Sequence, residues 1–76
     1  MMKRLSDLKL GESGTVCKVE GDKAIRRRML DMGLVNGAEV QVKCVAPLGD
    51  PIELVVRGYN LSLRKSEAYA IQVETA

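Results

Sequence analysis

Histidine, tryptophan and phenylalanine are absent from this sequence of 76 residues, and tyrosine occurs twice. The lack of histidine removes the side chain that most often serves as a general base or metal ligand. No serine or cysteine stands beside a candidate base, and no paired carboxylates suggest acid–base catalysis. Gly11 and Gly14 precede a predicted strand with no following Lys-Ser or Lys-Thr, unlike a phosphate-binding loop. We therefore expect no enzymatic activity.

Cysteine is nearly as scarce, with Cys17 and Cys44 each alone in a predicted strand. We expect two buried, unbridged thiols, since free cysteine behaves as a small apolar residue and a reducing cytoplasm disfavours disulfides. The acidic residues are scattered without a ligand-like spacing, so we expect no dedicated metal site and no cofactor. Weak binding of a divalent metal ion by surface carboxylates stays open.

Long apolar runs are also missing, so no segment can span a bilayer. The first four residues, Met-Met-Lys-Arg, are not followed by the apolar stretch of a secretory signal, which leads us to expect a cytoplasmic protein. Twelve basic and ten acidic residues give a net charge of +2, a mixed surface rather than a polyanion-binding field. The length allows one domain, residues 1–76.

Alternating apolar and polar residues predict five strands, at 15–20, 39–44, 52–57, 59–64 and 70–74. Gly58 leaves room only for a tight hairpin turn between the third and fourth of these strands. Residues 64–69 are expected to form a short turn before the last strand. The predicted inward-facing residues are Cys17, Val19, Val40, Val42, Cys44, Ile52, Leu54, Val56, Tyr59, Leu61, Leu63, Ile71 and Val73.

One helix is predicted between the first and second strands, over residues 22–32. Asp22 can cap its start, and Ile25, Met29 and Met32 share a face that can pack on the sheet. Gly33 can end the helix so that Leu34 folds back onto it. Five antiparallel strands with one inserted helix suit a small, bent, mainly β barrel. The leucines Leu5, Leu8 and Leu10 are expected to plug one end of this barrel.

Both prolines lie in one loop, residues 46–51 (Ala-Pro-Leu-Gly-Asp-Pro), between the second and third predicted strands. Pro47 and Pro51 fix their own φ and restrict the residue before each, while Gly49 can supply a positive φ. Leu48 is expected to point outward or over the barrel mouth. Two interpretations stay open: the prolines set the strand ends, or residues Pro47, Leu48, Gly49, Asp50 and Pro51 form a stiff partner-binding loop.

Three consecutive arginines, Arg26, Arg27 and Arg28, lie in the first half of the predicted helix, where the helix dipole disfavours cations by up to about 1 kcal/mol each. At helical spacing they spread over much of the surface, with Arg28 beside the buried face and Arg27 able to pair with Asp31. They form either a solvated basic face or a contact for an acidic or phosphate-bearing partner.

Four segments together resemble the ferrous iron transport protein A (FeoA) family over roughly residues 5–74. They are LSDLKLGESGTV (5–16), RRRMLDMGLVNGAEVQV (26–42), APLGDPIEL (46–54) and LSLRKSEAYAIQV (61–73). The resemblance implies an SH3-like small barrel. It also implies a cytoplasmic accessory role beside ferrous iron transport protein B, a membrane permease with a GTP-binding domain.

The combined prediction is a non-enzymatic regulatory protein of ferrous iron uptake that docks on the GTP-binding cytoplasmic part of that permease. Its partner would recruit it to the inner face of the membrane. The candidate binding residues are the loop from Pro47 to Pro51 and the three arginines from Arg26 to Arg28. The alternative is a small-barrel nucleic-acid-binding or metal-responsive regulatory module, although two tyrosines and a net charge of +2 give nucleic acid thin support. Self-association stays open under either interpretation.

Overall fold

The protein is described here by a computed structural model that covers residues 1–75, in which six antiparallel strands form one sheet. The strands are β1 (Met2–Arg4), β2 (Ser13–Val19), β3 (Glu39–Val45), β4 (Ile52–Val56), β5 (Tyr59–Leu63) and β6 (Ile71–Glu74). Two α-helices, α1 (Lys23–Asp31) and α2 (Lys65–Tyr69), and a 3₁₀ turn (Leu5–Asp7) complete the fold. The spatial order is β1-β6-β2-β3-β4-β5.

The five predicted strands and the inserted helix are confirmed, and two short elements are added to them. Strand β1 has three residues, too few to show alternation, and it forms by antiparallel pairing with β6, with Lys3 opposite Val73. Helix α2 replaces the predicted turn because the Glu67 carboxylate accepts a hydrogen bond from the Arg64 backbone N–H at 3.0 Å. That contact satisfies a donor at the helix start.

The hydrophobic core is one cluster drawn from the sheet, from α1 and from the 3₁₀ turn. Met29 anchors α1 in it, and Ile25 and Met32 pack at its margin, as their shared helix face predicts. Leu5 and Leu8 are buried as expected. Leu10 is exposed, so its predicted role in closing the barrel is wrong; it lies in a turn beyond the 3₁₀ segment.

Two β-bulges change which residues face the core. The pairing of β2 with β6 shifts between Val16 and Lys18, so Cys17 is the extra residue and Val16 is the one buried. In β3, Lys43 is the extra residue, which leaves Cys44 opposite Glu53 on the outer face. The prediction of two buried thiols is therefore wrong: Cys17 is half-buried and Cys44 is exposed. Each bulge inserts one residue and reverses the alternation after it.

Both ends of α1 are fixed by hydrogen bonds. Asp22 caps its start as predicted, with Oδ1 accepting from the Ile25 N–H at 2.9 Å. Gly33 has φ +87°, and the Leu34 N–H donates to the Met29 carbonyl at 2.9 Å, a Schellman motif. Tyr59, predicted to face inward, is instead exposed, and its hydroxyl donates to the Met32 carbonyl.

Candidate partner-binding site

The proline loop between β3 and β4 is closed by its own backbone. The Gly49 N–H donates to the Ala46 carbonyl at 2.7 Å, which forms a turn around Pro47 and Leu48. The Ala46 N–H donates to the Pro51 carbonyl at 3.2 Å and joins the two ends of the loop. Gly49 adopts φ +82°, the left-handed conformation that glycine takes at little cost. The Leu48 side chain at the tip is 94 % exposed.

Asp50 ties this loop to the rest of the protein. Its Oδ1 accepts a hydrogen bond from the Lys65 backbone N–H at 2.9 Å, at the first residue of α2. A carboxylate at that position interacts favourably with the free N–H groups of a helix start. Hydrogen bonds therefore hold the loop both internally and against α2, whereas the Leu48 side chain stays exposed.

The three arginines separate in the structure. Arg28 Nη1 lies 2.6 Å from Glu67 Oε2 of α2, and Glu67 is only 8 % exposed. Helix α1 has nine residues, so Arg28 belongs to its last turn, where a cation is favoured rather than disfavoured. The ion pairs found within residues 1–75 do not include Arg27 with Asp31. Arg26 and Arg27 point to the other side of α1 and line a groove there.

Helix α2 connects two of the predicted site segments. It receives the Arg28 guanidinium from α1 at Glu67 and the Asp50 carboxylate from the loop at Lys65. Arg28 and the proline loop are therefore both attached to α2, the first by an ion pair and the second by a hydrogen bond. Arg26 and Arg27 belong to a different surface.

That surface, which we call the basic groove, lies beside α1 and has a volume of about 770 Å³. Four cationic side chains and no acidic one line it. The cations are Lys18, Lys23, Arg26 and Arg27, and the apolar lining consists of Val19, Leu30, Leu34 and Val35. Asn36 completes the lining. Leu34 is fully buried beneath the surface, whereas Leu30 is 56 % exposed.

The sequence prediction named only Arg26 and Arg27 of this groove. A signal for part of the rest was present, because Lys23, Arg26, Arg27 and Leu30 follow the i, i+3, i+4, i+7 spacing of one helix face. The remaining residues come from the end of β2 and from the turn after α1. Their proximity to that helix face depends on tertiary packing.

The distribution of ion pairs sets the basic groove apart from the rest of the charged surface. Near the N-terminus, Lys3 pairs with Glu12 at 2.9 Å and Arg4 pairs with Glu20. The pKa of Glu12 is lowered, first by the hydrogen bond from the Lys9 backbone N–H and then by the one from Lys3. Within residues 1–75, none of the four groove cations forms an ion pair. Positive charge is therefore concentrated in the groove.

Residues 1–75 contain neither a cluster of metal-binding side chains nor a helix able to span a membrane. In the part of the chain that the structure describes, no three or more Cys, Asp or Glu side chains converge as a metal-binding group. The expectation that no dedicated metal site exists stays a prediction, and weak binding of a divalent ion by surface carboxylates stays open. Neither helix within residues 1–75 combines the length and the apolar character needed to cross a bilayer.

Comparison with known proteins gives a family and several close structural relatives. The FeoA domain family matches residues 3–75. An Fe(2+) transport protein A/Fe(2+) transporter FeoB fusion protein of Porphyromonas gingivalis is 42 % identical over 71 residues, which cover 93 % of this chain. The match spans only 8 % of that fusion protein's length.

Two solved structures add to this result. The NMR structure of a FeoA-like protein from Clostridium acetobutylicum is 42 % identical, with a TM-score of 0.90 over 97 % of this chain and 86 % of that one. The crystal structure of Stenotrophomonas maltophilia FeoA complexed with zinc is 35 % identical, with a TM-score of 0.81 over 97 % and 89 %. That protein is described as a prokaryotic SH3 domain protein, which agrees with the predicted SH3-like barrel. On the family match and these identities, the chain belongs to the FeoA domain family.

Proposed function

We propose that this chain is a non-enzymatic accessory module of ferrous iron uptake that binds the cytoplasmic, GTP-binding part of a FeoB-type transporter. The observation that carries the proposal is the Porphyromonas gingivalis relative, which combines transport protein A and the FeoB transporter in one polypeptide. A short covalent link raises the effective concentration of two modules to about the millimolar range. Such a link is useful when the two modules act as a pair.

The braced loop supports a binding role. Leu48 projects from a turn that two backbone hydrogen bonds and the Asp50 contact hold in place. A segment that is ordered before binding loses little conformational entropy when it binds. An apolar side chain that is 94 % exposed gains burial only through a partner.

Nucleic acid has less support as the partner. Proteins that bind single strands use aromatic rings as stacking surfaces. The Tyr59 hydroxyl is engaged by the Met32 carbonyl, and the Arg4 guanidinium lies 4.8 Å from the centre of the Tyr69 ring. Both tyrosines of the chain therefore have intramolecular contacts that tie them to the fold.

The test is calorimetric titration of the full chain into the cytoplasmic part of the FeoB-type transporter from the same organism. We expect micromolar or tighter binding by the wild type. We expect Leu48→Ala to weaken it by roughly 10-fold, since an apolar contact at an interface contributes on the order of 1–2 kcal/mol. The melting temperature should stay nearly unchanged because Leu48 packs on nothing.

The matched control is Leu10→Ala, which truncates another exposed leucine at 69 % exposure and should bind like the wild type. Absence of wild-type binding at about 100 μM protein, roughly 100 times a micromolar Kd, would contradict the proposed function. Parallel loss of binding and of melting temperature in Leu48→Ala would instead return the loop to the role of setting strand ends.

A further inference from the structure

We infer that the basic groove binds an acidic segment of the transporter's cytoplasmic part, which inserts one large apolar side chain against Leu30 and Val35. This inference rests on the proposed function and specifies its docking surface. It places the main contact in the groove, which contains Arg26 and Arg27 of the predicted site but neither the proline loop nor Arg28.

The charge of the groove defines the chemistry of the segment. The whole chain is nearly balanced, with twelve basic and ten acidic residues, yet the groove lining has four basic residues and no acidic one. Within residues 1–75, none of these four takes part in an ion pair. Aspartate and glutamate side chains on the occupant would supply the missing counter-charges, and like-charged surfaces would be rejected.

The apolar lining defines the anchor. Leu30 is 56 % exposed on a helix whose other large apolar residues, Ile25, Met29 and Met32, pack into or against the core. Leu30 is therefore not part of the core and instead adds apolar surface at the groove. Val35, half-buried in the turn after α1, extends this surface, and the fully buried Leu34 lies beneath it. Interfaces of this kind take a buried apolar anchor at the centre and polar contacts at the rim.

The groove is also held in shape before any partner arrives. The Asp22 cap fixes the start of α1, and the hydrogen bond from the Leu34 N–H to the Met29 carbonyl fixes its end. The Tyr59 hydroxyl ties the Met32 carbonyl to β5. The backbone positions that carry the α1 cations and Leu30 are thus fixed, which reduces the backbone entropy lost on binding.

A protein segment fits these features better than two other occupants. A lipid surface favours a protruding apolar residue, whereas Leu34 and Val35 form the recessed part of a concave site. A second copy of this chain could offer Leu48, but the same loop carries one carboxylate, Asp50, which already accepts from the Lys65 N–H. Four unpaired cations call for more negative charge than that loop supplies.

The experiment measures the affinity of the same cytoplasmic part of the transporter for two groove variants. Arg26→Glu/Arg27→Glu should raise Kd by at least roughly 30-fold, because juxtaposed like charges cost several kcal/mol. Leu30→Ala should raise Kd by roughly 5- to 10-fold through the lost apolar contact. Glutamate and alanine are good helix formers, so circular dichroism should show that both variants remain folded.

Each variant has a matched control outside the groove. Lys43→Glu/Arg57→Glu changes the net charge by the same amount at two exposed residues of β3 and the β4–β5 turn. Leu10→Ala removes the same side-chain atoms as Leu30→Ala from another exposed site. Both controls should bind within about 2-fold of the wild type, as surface changes away from the contact usually do.

The outcomes separate the two proposals. Wild-type binding that survives the groove variants overturns this inference and leaves the proposed function standing, whereas no wild-type binding contradicts both. Sedimentation analysis of the chain alone covers the second occupant: self-association lost in both Leu30→Ala and Leu48→Ala would assign the groove to another copy. Co-sedimentation with phosphatidylglycerol vesicles, lost in Arg26→Glu/Arg27→Glu, would assign it to a membrane surface. Either of these results would overturn the inference.

Discussion

Glu20 connects the two ends of the folded chain. Its carboxylate accepts hydrogen bonds from Arg4 Nη1 at the end of β1 and from Gln72 Nε2 in β6, the latter at 3.0 Å. The hydrogen bond from Gln72, followed by that from Arg4, lowers the pKa of Glu20 below its ordinary value of 4.5. Both contacts favour the ionised form in the folded state, so they link folding to pH.

We predict that Glu20→Gln lowers stability at neutral pH and flattens its loss in acid. A carboxylate whose pKa is lower in the folded state contributes stability above its unfolded pKa, near 4.5. This contribution disappears as the pH falls through the folded value. Urea unfolding at pH 7 and pH 3 should therefore show a difference between wild type and variant that shrinks in acid. The control, Glu53→Gln at an exposed carboxylate of β4, should show a smaller change at pH 7.

A constant difference between wild type and Glu20→Gln at both pH values would contradict this account. It would mean that the ionised form of Glu20 is not specifically favoured by the fold. The variant would then act through packing or amide geometry alone.

At the scale of elements, Gly33 determines how α1 meets the sheet. Its φ is +87°, and a Cβ built there would lie 2.5 Å from the Tyr59 hydroxyl oxygen. Gly33→Ala therefore meets two separate obstacles. The backbone conformation costs an alanine about 1–2 kcal/mol, and the Tyr59 hydroxyl must move from its contact with the Met32 carbonyl.

A double-mutant cycle can measure these two contributions. We predict that Gly33→Ala destabilises the wild type by more than it destabilises Tyr59→Phe, which lacks the obstructing oxygen. In the Tyr59→Phe background, the cost should fall to the backbone contribution of about 1–2 kcal/mol. Gly37→Ala is the matched control, since Gly37 has φ +89° and no atom within 4 Å of its built Cβ. Equal costs of Gly33→Ala in both backgrounds would show that Tyr59 does not restrict this end of the helix.

Elements with a clear period could be predicted from the sequence, whereas single-residue insertions could not. Val40, Val42, Leu54 and Val56 face the core as their alternation predicts. The alternation of β3 continues to Cys44, yet the bulge at Lys43 turns Cys44 outward. Nothing in the local pattern distinguishes a regular residue from a bulged one, because the bulge depends on pairing with β4.

In the candidate site, too, features set by the local sequence could be predicted and features set by tertiary packing could not. The outward position of Leu48 and the spreading of the arginines are local properties, and the structure has both. The pairing of Arg28 with Glu67 joins residues 39 positions apart in the numbering, and the basic groove adds Lys18 and Val35 from other elements. Such contacts arise only when the helix and sheet pack together. A net charge of +2 also conceals the groove, since it averages a concentrated charge over the whole chain.

At the scale of the whole molecule, charge is separated in a way that should affect binding kinetics. Acidic residues pair with Lys3, Arg4 and Arg28, whereas the four cations of the basic groove form no ion pair within residues 1–75. A localised positive field attracts an acidic partner before contact, and dissolved salt screens that attraction over about 10 Å at 0.1 M. Dissociation depends mainly on contacts within the complex.

We therefore predict that salt slows association with the transporter's cytoplasmic part and has less effect on dissociation. Raising NaCl from about 20 to 300 mM should lower the association rate constant by roughly 10-fold, with a change in the dissociation rate constant of about 3-fold or less, in stopped-flow or surface-binding measurements. Arg26→Glu/Arg27→Glu should remove most of this salt dependence, because it cancels the groove's positive charge. Lys43→Glu/Arg57→Glu should keep most of it, since the groove is intact. If the two variants lose salt dependence equally, net charge rather than the groove would direct the encounter.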